Sequence, residues 1–120
     1  MSHLTDKKRA ALEKKANEIR QDIIRMLVEA GSGHTAGPLG MTDIFTALYF
    51  HILNREDRVF LSNGHICPVW YATLAHAGYL SRAEALGTLR KLGSRLQGHP
   101  HRGSLAPILN PSGPLGQGIS

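Results

Sequence analysis

One stretch of this chain reads as a β-strand, and one strand cannot make a sheet. It is "RVFLS", residues 58–62, a short run of β-formers that ends at the Asn63-Gly64 break. The segments on both sides of it carry helical periodicity instead. The order is helix, helix, strand, helix, helix, then a long aperiodic segment. That order predicts an α/β domain. Its remaining strands either lie in the aperiodic segment or belong to something larger, of which these residues are the opening piece.

The helices are marked by spacing and by their ends. Leu12, Ala16, Ile19, Ile23, Leu27 and Ala30 recur every three or four residues and paint one stripe on a long helix, which Thr5 caps and Gly31 closes. "MTDIFTALYFHIL" reads as a second helix, with Thr42 as N-cap and Ile44, Ala47, Leu48 and Leu53 available for burial. "PVWYATLAHAG" has proline where a first turn tolerates it and glycine where a helix must stop. "SRAEALGTLRKLG" opens on Ser81-x-x-Glu84, a capping-box pattern, and is expected to run to Gly93. From Gly93 to Ser120 glycine and proline punctuate a segment of a length usually kept for function.

With 120 residues, 42% of them hydrophobic, this is one domain or part of one, long enough to bury a core. Fourteen Lys and Arg against nine Asp and Glu give a net charge of +5, which suits phosphorylated metabolites, a diphosphate cofactor or nucleic acid. Much of that charge alternates with acids in "DKKRAALEKKANEIR", the pattern of a solvated helix face, and no nucleic-acid-binding motif accompanies it. No nucleic-acid partner is therefore expected. No apolar run is long enough to cross a bilayer and the N-terminus is charged, so neither a membrane nor a secretory signal is expected and the location predicted is cytoplasmic. The single cysteine, Cys67, fits a reducing compartment and permits no internal disulfide.

Three Gly-His pairs stand out: "GSGHTAGPLG" around His34, "SNGHICP" around His65 and "LQGHPHRG" around His99. Each lies in a glycine-rich break between regular segments, and the three are expected to assemble one site. Loops that lead from a strand into a helix N-terminus attract anions in open α/β folds, and an imidazole there offers a donor to a phosphate oxygen. A helix-capping histidine without a ligand is the alternative at His65. Neither "GSGHTAGPLG" nor "GPLGQG" is a Walker loop or a dinucleotide fingerprint. The pairs His65/Cys67 and His99/His101 have no recognised zinc spacing, so no metal ligand is assigned. His51 and His76 fall inside apolar helices, and His3 lies at a terminus expected to fray.

Taken together and in order, "SGHTAGPLGMTDI", "DRVFLSNGHICPVWYATLAHAGYL", "LRKLGSRLQGHP" and "SGPLGQGIS" resemble the amino-terminal part of the thiamine-diphosphate domain of transketolases, and most of all the N-terminal subunit of split forms. The resemblance runs from about Ile19 to Ser120. It implies the opening part of a parallel sheet flanked by helices, incomplete in this chain. It also implies ketol transfer, in which a two-carbon unit passes from a ketose phosphate to an aldose phosphate through thiamine diphosphate. By resemblance, His65 reaches the diphosphate end of the cofactor. Gly113, Pro114 and Leu115 lie against its aminopyrimidine ring, and His34 and His99 face the substrate as the catalytic residues.

The departures carry their own expectations. The family usually has more residues between Asn54 and Arg55, an acid at His101, and threonine or serine where "SLAPILNPSG" has proline. The Mg²⁺ (or Ca²⁺) ligands and the activating glutamate are expected outside this chain, which implies that the chain alone is inactive. The implied partner is a C-terminal transketolase subunit or a second copy, received on apolar surface of the "MTDIFTALYFHIL" and "CPVWYATLAHAGY" helices. Alternatives are a related enzyme such as dihydroxyacetone synthase or deoxyxylulose-phosphate synthase, or a non-catalytic partner-binding module of the same fold.

Overall fold

The computed structural model describes residues 3–112 together with Pro114 and Leu115. Its first helix, α1 (Asp6–Ala30), begins where Thr5 accepts a hydrogen bond from the Lys8 amide and ends where Gly31 turns left-handed at φ 72°. The face carrying Ala16, Ile19, Ile23 and Met26 is buried, as the stripe required.

Helix α2 (Ala36–Ala47) has its cap position at Thr35, seven residues before the expected Thr42, and runs on into a wider π-type turn over Leu48–Ile52. The expected cap, Thr42, is instead buried in the helix, its hydroxyl donating back to the Pro38 carbonyl at 2.8 Å. Pro38 falls in the first turn, where its missing N–H breaks no helical bond. That leaves "TAGPL" free to be helix rather than loop.

The expected strand is not formed. Among the described residues there is no strand at all. Residues 58–61 lack helical or ladder structure, and no neighbouring segment pairs with them. What pairs with Leu61 is a side chain. Asn110 accepts from the Leu61 amide at 3.2 Å and donates to its carbonyl at 2.9 Å, supplying one donor and one acceptor much as a residue of an adjacent strand would. Ser112 donates to the same carbonyl. The α/β expectation is thus met only on its helical side.

After Leu61 the chain turns through a short 3-10 segment (Gly64–Ile66) into α3 (Cys67–His76), whose residues Cys67 through Ala75 are all buried. Helices α1 and α2 and α4 (Arg82–Thr88) pack around α3. This corrects the expectation that α3 offers apolar surface to a partner, because its apolar residues are used up inside. Trp70 donates to the Tyr49 hydroxyl at 2.7 Å, so even the polar edge of that ring is satisfied. Leu96, Leu105 and Ile108 of the aperiodic segment complete the core.

Helix α4 keeps half of the capping box. Ser81 accepts from the Glu84 amide at 3.0 Å, while the Glu84 carboxylate pairs with Arg95 at 2.6 and 2.8 Å. The helix ends at Thr88, short of Gly93, because Leu89 turns extended at ψ 127°, and Arg90 follows it at φ 60°. The short connection after Asn54 is closed by Asp57, which accepts from the Asn54 amide at 2.7 Å. No helix among the described residues is long and apolar enough to cross a membrane.

Candidate functional site

The 3-10 turn before α3 is the point where the Gly-His breaks meet. His34 and His65 lie side by side, ring centroids 4.8 Å apart and planes tilted by 51°. What brings them together is a bare backbone. A Cβ on Gly37, in the first turn of α2, would lie 2.6 Å from Ile66 Cγ2, so glycine lets the helix that follows His34 settle onto the turn that carries His65. Gly64 does the same for the third break. A Cβ there would lie 2.8 Å from His99 Nδ1 and 2.5 Å from Ser112 Cβ. His34, His65 and His99 therefore occupy one neighbourhood, bordered by Ser112.

Helix α3 holds the His99 break in place. The Cys67 thiol lies 3.4 Å from the Gln97 carbonyl and 3.2 Å from that of Gly98, and the Tyr71 hydroxyl donates to Gln97 at 2.8 Å. One turn apart on α3, these two side chains grip the backbone just before His99. Burial pushes the Cys67 thiol up to about 12 and drives the Tyr71 phenol up as well, so both stay protonated and remain donors. Sequence reading treated Cys67 as a compartment marker and gave Tyr71 no role. Their spacing of four residues, directly after His65, was the available signal.

Accessibility fits a ligand surface. His34 and His99 are exposed and His65 is half-buried. Pro114 and Leu115 are exposed too, and Leu115 follows Ser112 by three residues, which limits its backbone to within about 10 Å of it. Gly113, expected beside them, lies outside the described residues. A separate cavity of about 500 Å³, bordered by Tyr49, Arg55, Arg58 and Tyr79, contains none of these histidines. The cluster is built of imidazoles and a hydroxyl, a donor set for anions. Among the described residues no group of three or more His, Cys, Asp or Glu side chains is placed to hold a metal.

Arg90 and Ser112 are the only non-glycine residues with positive φ among those described, at 60° and 58°. Both border this neighbourhood, and sequence reading found neither.

The comparisons with known proteins converge. The family described as "Transketolase, thiamine diphosphate binding domain" matches residues 11–120. Transketolase of Buchnera aphidicola (subsp. Baizongia pistaciae) is 39% identical over 115 residues, which are 88% of this chain and 17% of that protein. Human transketolase is 37% identical over 119 residues, 91% of this chain and 19% of that protein. The structure of transketolase from Leishmania mexicana superposes with a TM-score of 0.82 at 35% identity, covering 98% of this chain and 18% of that one. The chain spans less than a fifth of the length of these relatives. With residues 11–120 matched by the family and the whole fold superposing on a member of it, the chain belongs to the transketolase family, in its thiamine diphosphate-binding domain.

Proposed function

We propose that this chain is the diphosphate-side component of a transketolase, moving a two-carbon ketol unit from a ketose phosphate to an aldose phosphate. The observation that carries the reading is the meeting of His34, His65 and His99 at the turn before α3. Thiamine diphosphate, when bound, supplies the carbanion chemistry that no side chain can. The chain's own residues bind and move protons. His65, at the helix start, donates to the diphosphate end. Gly113, Pro114 and Leu115 lie against the aminopyrimidine ring. His34 and His99, both exposed, hold the ketose hydroxyls and carry protons at neutral pH.

The fit is partial in one respect. The described cluster offers donors to an anion but no carboxylates to a cation, and on this reading Mg²⁺ (or Ca²⁺) takes its ligands from outside this chain. The partner is a C-terminal transketolase subunit or a second copy that closes the cofactor site, with sugar phosphates as substrates. The buried thiol of Cys67 suits a reducing, cytoplasmic setting.

Reconstitution tests this. The chain is mixed with a transketolase that lacks the matching N-terminal residues, and ketol transfer is followed with Mg²⁺ and thiamine diphosphate. Activity that appears only in the mixture and falls by about two or more orders of magnitude on His99→Ala supports the reading. A mixture that binds the cofactor but shows no transfer defeats it.

A further inference from the structure

Most arginines whose surroundings are described meet an oxygen. Arg9, Arg20, Arg25, Arg82 and Arg95 each pair with a carboxylate, and Arg58 donates to two backbone carbonyls. Arg90, like Arg55 and Arg102, does neither among the described residues, but Arg90 is held between two of the histidine-bearing loops. A Cβ built on Gly98, the residue before His99, would lie 2.5 Å from Arg90 Nη1 and 3.2 Å from its Cζ. A Cβ on Gly33, the residue before His34, would lie 3.8 Å from Arg90 Cδ. The side chain thus runs from one loop to the other, and at Gly98 it occupies ground that only a glycine leaves open.

The backbone is as unusual as the side chain. Arg90 sits at φ 60°, a conformation that favours glycine and costs about 1 kcal/mol or more for other residues. Its amide is fixed there by a 2.7 Å hydrogen bond to the Leu96 carbonyl. Among the described residues this strained non-glycine residue has no carboxylate beside its guanidinium, which lies against the loop that carries His99.

We propose that Arg90 is a phosphoryl-recognition residue of the histidine site, its guanidinium offering forked N–H donors to a phosphoryl group of the ligand bound there. This rests on the reading of the site given above. A phosphoryl group reaches such a site from a diphosphate cofactor or from a sugar phosphate, and the two share the chemistry that Arg90 reads.

The test uses the full chain and three variants. Arg90→Gly removes the guanidinium and relieves the left-handed backbone, so it should melt at the same temperature or higher. Arg90→Lys keeps the charge without the fork. Arg90→Ala controls for the glycine. Nitrogen-15 NMR follows titrations with inorganic pyrophosphate, with a sugar monophosphate and with the same sugar unphosphorylated. The expected result is saturable shifts at Gly33, Gly98 and Arg90 Nε with the phosphorylated probes only. Affinity should drop about tenfold or more in Arg90→Gly and Arg90→Ala, and less in Arg90→Lys. Stronger response to pyrophosphate identifies the diphosphate as the source, and stronger response to the sugar phosphate identifies the substrate; either supports the inference. Undiminished affinity in a folded Arg90→Gly overturns it. If thiamine diphosphate shifts His65 while Arg90 stays silent, this inference falls and the proposed function stands.

Discussion

Asp22 is the most consequential polar residue outside the site. Its side chain is only 4% exposed, yet it pairs with Arg82 at 2.8 Å and His76 at 2.7 Å, and lies 3.4 Å from Arg25, joining α1 to α3 and α4. Burial alone would raise its carboxyl, but the hydrogen bonds and charges of Arg82 and His76 outweigh burial and hold it below the ordinary carboxylate value. A depressed carboxyl contributes stability that is present above its unfolded value, near pH 4, and is lost as pH falls through the lower folded value. Urea melts between about pH 6 and 2 should show this loss, and Asp22→Asn should flatten it while destabilising the chain by about 3 kcal/mol at neutral pH. An unchanged acid profile in Asp22→Asn would remove the network from the account of stability. Cys67 makes a second residue-scale case. Buried and held protonated by its surroundings, it should react with a disulfide reagent at pH 8 only as fast as the chain opens. Labelling of the native chain at the rate of a free thiol would contradict its role as an anchor for the His99 loop.

At the scale of elements, the informative one is the strand that did not form. The composition of "RVFLS" favours a strand, but hydrogen-bond partners make one, and the described part of the chain supplies only two side chains, the Asn110 carboxamide and the Ser112 hydroxyl. Leu61 is buried, so its paired amide should be protected from hydrogen exchange, whereas that of Phe60, whose residue is 64% exposed, should exchange quickly. Asn110→Ala should erase the protection of Leu61 and destabilise the chain by about 1–3 kcal/mol, since it leaves a buried N–H unpaired. Protection that survives in Asn110→Ala would mean that another group satisfies Leu61. The helices tell the opposite story. Thr5, Gly31 and Ser81 act where their types and positions said they would, because caps are satisfied within three or four residues of chain. Thr42 misled because a threonine before an apolar run looks alike as a cap and as an interior residue bonding back one turn.

At the scale of the molecule, burying α3 on all sides moves the exposed apolar surface elsewhere. Val28 is 76% exposed and Ile24 49%, beside a hollow of about 450 Å³ that reaches the Ser32-Gly33 turn next to His34. Since the chain spans less than a fifth of its relatives, this face is expected to meet a partner or a second copy. Sedimentation at tens of micromolar should show association that Val28→Lys weakens, and a monomer unaffected by that change would argue against the face as an interface. The sequence by itself determined the four helices, most of their ends, the core stripe of α1 and the three Gly-His breaks, all of which depend on neighbours a few residues away. That the breaks share one neighbourhood was an expectation only three-dimensional packing could settle, through the close approach of Gly37 to Ile66 and of Gly64 to His99. The roles of Cys67, Tyr71, Asn110 and Arg90 were decided by tertiary structure, the spacing of Cys67 and Tyr71 placing them on one face of α3 without naming what they hold. The partners that Cys67, Tyr71 and Asn110 hold in Gln97, Gly98 and Leu61, and the Gly33 that Arg90 reaches, lie more than 20 residues away in the chain, a separation at which no local pattern records which groups will touch.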